Sequence, residues 1–273
     1  RRSTPHIRIE SRTDGNSGLD IFISKETQGE SVHIPVVITE TNYHELVYND
    51  FYVESGADVL IIAGCGIHNC GQATSEHSGI HTFHVGKGAK VKYVEKHYAS
   101  GDGNGENVMN PTTDIHLEEG ARMEMETTQI KGVDSTERTT RAVLAANAEL
   151  VIREKIYTHG TQHAKTDFSV ALDGDNAGAD IVSRSVAAQS SQQELYLRID
   201  GNKKCHGHSE CDAIIMDDAK VLAIPALAAN NVDAELIHEA AIGKIAGEQL
   251  LKLMTLGLTE QEAEEQIIKG FLS

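Results

Sequence analysis

Gly56-Ala57-Asp58-Val59-Leu60-Ile61, Gly88-Ala89-Lys90-Val91-Lys92-Tyr93-Val94 and Gly120-Ala121-Arg122-Met123-Glu124-Met125 repeat one pattern. Further copies are Asn147-Ala148-Glu149-Leu150-Val151-Ile152, Gly178-Ala179-Asp180-Ile181-Val182, Asp218-Ala219-Lys220-Val221-Leu222-Ala223-Ile224 and Asp233-Ala234-Glu235-Leu236-Ile237. Each begins with Gly, Asn or Asp, the residues that tolerate positive φ in a tight turn. An alanine small enough for a crowded corner follows, then a run that alternates apolar and polar residues with the period of a strand. The alanines at 57, 89, 121, 148 and 179 are 32, 32, 27 and 31 residues apart. A near-constant interval of this size predicts rungs stacked in a parallel β-solenoid. An antiparallel sandwich with regular hairpins is the competing architecture. Only four prolines and 4% aromatic residues in 273 favour the solenoid.

Composition agrees. Apolar residues make up 40% of the chain and tryptophan is absent, so the core must consist of aliphatic ladders. The net charge of −17 argues against nucleic acid, which is held by neutralising phosphates with cations, and against an anionic membrane surface. No apolar run reaches the length of a transmembrane helix and no signal peptide is visible. The start Arg1-Arg2-Ser3, without methionine, implies a native N-terminus that is trimmed or longer. The four cysteines, Cys65, Cys70, Cys205 and Cys211, are expected as reduced thiols in a cytoplasmic protein, because a chain of this size needs no disulfide staples.

His6–Ile9, Ile21–Ile23 and Val32–Ile38 read as strands of the first rungs, and the Gly-rich segment Gly101–Asn107 as a solvated loop. Beyond Ala240 the period becomes helical. Ile245, Leu250, Leu253, Met254 and Leu256 line one side of a short helix that Gly257 ends as C′. Thr259 and Glu262 form a capping box for a second helix from Glu260 to about Gly270, with Ala263, Ile267, Ile268 and Phe271 as its apolar face. A hairpin this short must bury that face against the solenoid or a partner.

Three clusters carry donor atoms. Cys211 lies on one strand pattern, and His238 and Glu239 on another that a solenoid can stack beside it. A thiolate and an imidazole suit iron or a nascent iron–sulfur cluster, and a carboxylate can complete a labile site. The bland reading is an inert buried thiol and a core histidine. Cys205-His206-Gly207-His208-Ser209-Glu210-Cys211 is a dense tract in which Cys205 and His208 are candidate zinc or iron ligands, although its spacing fits no standard zinc module and it also reads as a plain lead-in to the Cys211 strand. Cys65, His68 and Cys70, followed by His77, His81 and His84, form a third candidate metal site by their density, although side chains in equivalent rung positions also cluster without function. No Gly-x-x-x-x-Gly-Lys-Ser/Thr loop occurs, so this chain is not expected to bind or hydrolyse nucleotide, and no Gly-x-Ser-x-Gly elbow is present.

Cys211-Asp212-Ala213-Ile214-Ile215, then His238-Glu239-Ala240 followed by Ile242-Gly243, then Gly247-Glu248-Gln249-Leu250 and Gly257-Leu258-Thr259-Glu260-Gln261-Glu262-Ala263 resemble the C-terminal region of the SufB/SufD family of Fe–S cluster assembly scaffolds, over roughly residues 175–273. The resemblance implies a right-handed parallel β-helix over 1–243 and a helical segment over 244–273 that docks a SufC-type ABC ATPase. It implies a compact, single-scaffold form lacking the long N-terminal helical domain. It also implies pairing as a homodimer or with a SufB/SufD paralogue, and a transient cluster or iron held at Cys211, His238 and Glu239. A sulfur donor and apo Fe–S proteins are further expected partners, and no catalysis of its own is expected. Two other functions compete: an Fe/Zn storage or sensing protein, which would not need the helical tail, and a carbohydrate-active β-helix enzyme, which the scarcity of aromatic sugar platforms disfavours.

Overall fold

A computed structural model describes residues 4–130 and 132–273. Arg1–Ser3, on which the expectation about the N-terminus rests, lie outside the described residues. In chain order the strands are β1 (Ile7–Ser11), β2 (Gly18–Ile23), β3 (Gln28–Ile38), β4 (His44–Val53), β5 (Asp58–His68), β6 (Ser75–Val85), β7 (Lys90–Ser100), β8 (Asn107–Met109) and β9 (Thr112–Leu117). They continue with β10 (Arg122–Ile130), β11 (Ser135–Leu144), β12 (Glu149–Thr158), β13 (His163–Leu172), β14 (Ala177–Ala187), β15 (Gln192–Gly201), β16 (Cys205–Ile215), β17 (Lys220–Ala229) and β18 (Ala234–Gly243), and close with helices α1 (Gly247–Thr255) and α2 (Glu260–Phe271).

Successive strands alternate between two sheets. The eight-stranded sheet runs β3-β5-β7-β10-β12-β14-β16-β18, and the ten-stranded sheet collects the strands between them. From β2 onward the pairings within each sheet are parallel, so the chain coils as the parallel solenoid of about eight turns that the spacing predicts. The first strand departs from the expectation. β1 pairs antiparallel with β2, a hairpin across the first edge rather than a rung.

The corner alanines are where the repeat puts them. Ala57, Ala89, Ala121 and Ala148 are fully buried. In the next turn the register pairs Glu149 with Gly178, so the corner residue is Ala177 and not Ala179, which stands opposite Leu150 inside the strand. The column continues through Cys205, paired with Ala177, to Ala234. Asp218-Ala219 precedes β17 and belongs to a corner of the other sheet.

Inside, identical phases stack into ladders such as Val59–Val91–Met123–Leu150 and Phe51–Phe83, whose rings stack at 4.5 Å. Each such side chain contributes about 1.5–3 kcal/mol of transfer free energy. The loop at Gly101–Asn107 is less free than its composition implies. A Cβ on Gly101, whose φ is 126°, would come within 2.0 Å of the Asn69 carbonyl oxygen, so glycine lets this loop stack on the loop of the preceding turn.

The helical tail follows its sequence closely. Thr259 and Glu262 make both halves of the capping box, and Gly257 takes φ 98°. Ala263 is the one fully buried side chain of α2, while α1 buries none. The hairpin lies against the outer face of the eight-stranded sheet. There Ser273 borders a cleft with Arg153, Lys155 and Arg184, and Glu264 and Glu265 act on the Tyr157 hydroxyl. No helix among the described residues is long and apolar enough to cross a membrane.

Candidate functional site

The pleat decides which donors meet. In β16 the residues buried inside the solenoid are Cys205, Gly207, Ser209 and Cys211, while His206, His208, Glu210 and Asp212 point outward. The register sets His238 beside Ser209 and Ala240 beside Cys211, so His238 shares the lumen side with Cys211, diagonally across the strand pair. Its Nδ1 and the Ser209 hydroxyl are 2.8 Å apart, which fixes the ring and leaves Nε2 for a ligand. Glu239, the next residue along β18, falls on the opposite face of the sheet, beside Glu210. The register therefore puts Cys211 and His238 on one face of the sheet and Glu239 on the other.

Cys211 is 3% exposed and lines a cavity of about 20 Å³ with Glu154, Thr166, Ser183 and Gln193. That is room for one water-sized occupant. Burial pushes the Cys211 thiol up to about 12, and the nearby negative charge of Glu154 adds to the shift. Burial, with the neighbouring His208, lowers the His238 pKa, which favours the neutral imidazole a metal requires.

From Cys211 a column of buried polar side chains runs up the lumen. Glu154 accepts from Ser183 at 2.7 Å and Thr166 at 3.0 Å, and its carboxylate is 3.7 Å from the Arg138 guanidinium. Arg138 donates to Glu95 at 2.5 Å, and Tyr93 donates to Glu95 at 2.9 Å. The Tyr93 hydroxyl is 2.8 Å from His81 Nδ1. Burial alone would raise the Glu95 carboxyl, but Arg138, His97 and His81 together outweigh it and hold Glu95 well below the usual carboxylate range. Glu154 gains less from Arg138, and burial leaves its carboxyl raised. Burial lowers His81 to about 4. The Cys/His reading of the sequence missed Glu95, His97, Arg138 and Glu154. Their signal was phase: Glu95 and His97 follow Val91 and Tyr93 at intervals of two, so the alternation that buries the apolar residues buries them too.

The other tracts divide in the same way. Cys65 faces the lumen and borders a cavity of about 10 Å³ with His77, His81, Glu95 and His97. His68 and Cys70 are exposed, with Cys70 Sγ 3.3 Å from His68 Nε2, whose Nδ1 is 3.1 Å from the Ser100 hydroxyl. Cys65 thus stands apart from the two residues grouped with it by sequence. Cys205 occupies the corner column of alanines, and His208 lies on the outer face, so these two do not converge either.

Burial also lifts Cys65 to about 12 and raises Cys205. At pH 8 a thiol with a pKa near 12 is about one part in ten thousand thiolate, the reactive form. A chromogenic disulfide reagent is expected to titrate one thiol, Cys70, in the folded protein and all four after unfolding. Rapid reaction of two or more thiols in the folded protein would contradict these burial assignments.

On the outer face, His208, Glu210 and Glu239 place one ligand atom each within 4.8 Å of one another. At the same end the last turn is open: Leu222, Ile224, Leu227, Ile237 and Ile242 are all exposed.

Residues 41–271 match the family model described as SUF system FeS cluster assembly, SufBD core domain. The chain is 30% identical over 262 residues to an iron-sulfur cluster assembly SufBD family protein of Methanocaldococcus jannaschii, covering 95% of this chain and 82% of that protein. It is 29% identical over 255 residues to a SufBD family protein of Archaeoglobus fulgidus, covering 92% of this chain and 68% of the relative. A Methanothermobacter thermautotrophicus relative is 30% identical over 243 residues, and there the chain spans 57% of the relative's length.

Proposed function

Since the chain belongs to the SufBD family of iron–sulfur cluster assembly proteins, we propose that it is a scaffold on which a cluster is built and from which it is passed on. The observation that carries this reading is the lumen pair Cys211 and His238 in the last two turns, at an open apolar end of the solenoid. The cluster is cargo. One thiolate and one neutral imidazole grip it less firmly than four thiolates, which suits release. The Cys211 thiol gives up its proton only when iron replaces it, so the unloaded site stays protonated and resists oxidation.

The open end supports pairing of the scaffold with a second copy or a SufB/SufD paralogue, which would supply the remaining ligands and cover Leu222, Ile224 and Leu227. The helical tail is the docking surface for a SufC-type ABC ATPase. α1 buries no side chain and leaves Leu251, Met254 and Leu256 exposed. ATP-driven movement of that partner would be transmitted through the hairpin to the outer face of the eight-stranded sheet and so to β16 and β18. The nucleotide is the partner's, because this chain has no phosphate-binding loop. A cytoplasmic sulfur donor and apo Fe–S proteins complete the route.

Anaerobic incubation with ferrous iron and sulfide, followed by desalting, tests the reading. The expected result is protein-bound iron with acid-labile sulfide that transfers to an apo-ferredoxin. Absence of any retained labile sulfide would overturn it.

A further inference from the structure

The two sheets do not end together at the N-terminal end of the solenoid. β2 with β3, and β4 with β5, make turns, but β1 has no counterpart in the eight-stranded sheet, whose order ends at β3. Among the described residues β3 pairs only with β5, so one edge of this 11-residue strand carries no ladder. The half-turn left open opposite β1 is a cavity of about 740 Å³, bordered on its solvent side by the exposed Ser31 and His33.

The lining specifies what fits. Ile7 and Leu19 of the β1–β2 hairpin border the cavity, and so do Val32, Ile34 and Val36, alternate residues of β3. A strand laid beside β3 would point alternate side chains into the same space. Leu19 and Val36 remain only half-buried although both pack against the core. Glu45 is the one carboxylate of the described lining, 26% exposed and 2.9 Å from His77, and no lysine or arginine borders the cavity with it. An incoming cation therefore has a carboxylate to meet. The register shift between Gln28 and Glu30, and the donor that Pro35 lacks, confine regular pairing to the short stretch between them. Such breaks keep a free edge from pairing with its own kind, so this edge suits a short, selected partner strand rather than a second copy.

We propose that this N-terminal mouth receives one short extended strand of a partner protein, which adds to β3, sets alternate apolar side chains into the cavity and brings a lysine or arginine to Glu45. Backbone hydrogen bonds to β3 give the affinity, and the alternating pockets give the specificity. The added strand completes the first turn of the solenoid, opposite β1. Neither Cys211 nor the helical tail takes part, so the proposal does not rest on the assembly reading.

Two blocked peptides, Thr-Lys-Thr-Ile-Thr-Val-Thr and its reverse Thr-Val-Thr-Ile-Thr-Lys-Thr, cover both strand directions and test the site. At least one of them, fluorescently labelled, should bind the full-length protein saturably and with a stoichiometry of one, read by anisotropy. It should also slow deuterium exchange at the amides of β3. A scrambled peptide of the same composition with its apolar residues contiguous, and Glu45→Gln in the protein, should each weaken binding by about tenfold. An unaltered circular dichroism melt checks the fold of Glu45→Gln, and Cys211→Ser should bind as wild type does. No binding by either peptide would overturn the proposal. So would binding that leaves exchange in β3 unchanged, or that is indifferent to scrambling and to Glu45→Gln. Self-association of the free protein that the peptide competes away would give the mouth to a second copy and overturn it too.

Discussion

Arg138→Met is expected to lower the thermal midpoint by on the order of 10 °C. Arg138 lies deep in the lumen, and its partners Glu95 and Glu154 are 1% and 2% exposed. Removing one member of a buried ion pair costs about 3–5 kcal/mol, because the survivor keeps its desolvation penalty. In a chain of this size each kcal/mol moves the midpoint by about 2–4 °C. The variant should also acquire a pH dependence. Burial already raises the Glu154 carboxyl; without the guanidinium it raises Glu154 further and lifts Glu95 as well, opposed there only by His97 and His81, so the folded state holds protons that the unfolded state releases. Stability is then greatest below the unfolded carboxyl pKa, near 4.3, and falls as pH rises through the folded values. Glu95→Gln added to Arg138→Met should recover much of the loss, since a neutral amide takes the place of the stranded carboxylate. A melt that is unchanged by Arg138→Met and independent of pH would show that the column is not a charge-coupled unit.

Deleting 244–273 is expected to abolish co-purification with a SufC-type ATPase while the solenoid stays folded. The strands end at Gly243, and no ladder of either sheet passes through the deleted segment. α2 buries only Ala263 completely, so little core is lost. The exposed leucines of α1 give a finer test. Leu251→Asp with Leu256→Asp places two charges on the apolar face and should weaken the complex by about tenfold or more, as expected when a desolvated apolar anchor is lost. Undiminished binding by both variants would move the contact off the hairpin.

Much of this was readable before folding. The turn-alanine-strand repeat determines the solenoid because only a stacked parallel coil returns the same corner every 27–32 residues. The capping box and Gly257 marked the helical tail nearly to the residue. Three features escaped. Gly178-Ala179 imitates the corner motif, but the turn two residues earlier puts Ala177 there, an ambiguity that only register resolves. β1 closes the edge as an antiparallel hairpin, which a strand pattern without a partner does not reveal. Within the site, adjacency in sequence was misleading: His238 and Glu239 are neighbours in the chain and therefore on opposite faces of the sheet, as are Cys205 and His208 three residues apart. The same alternation, counted along β7 and β12, would have exposed Glu95, His97 and Glu154 as lumen residues.

In the scaffold we propose, Cys211 is the thiolate on which the cluster forms. The direct measurement is Mössbauer spectroscopy of protein reconstituted anaerobically with 57Fe and sulfide, comparing wild type with Cys211→Ser. Serine is nearly isosteric, so the fold survives while the soft ligand is lost. Wild type is expected to show a thiolate-ligated cluster signal that is lost in Cys211→Ser and retained in Cys70→Ser. A cluster signal undiminished by Cys211→Ser but lost on substitution of Cys65 or Cys70 would contradict it and place assembly at the other end of the solenoid.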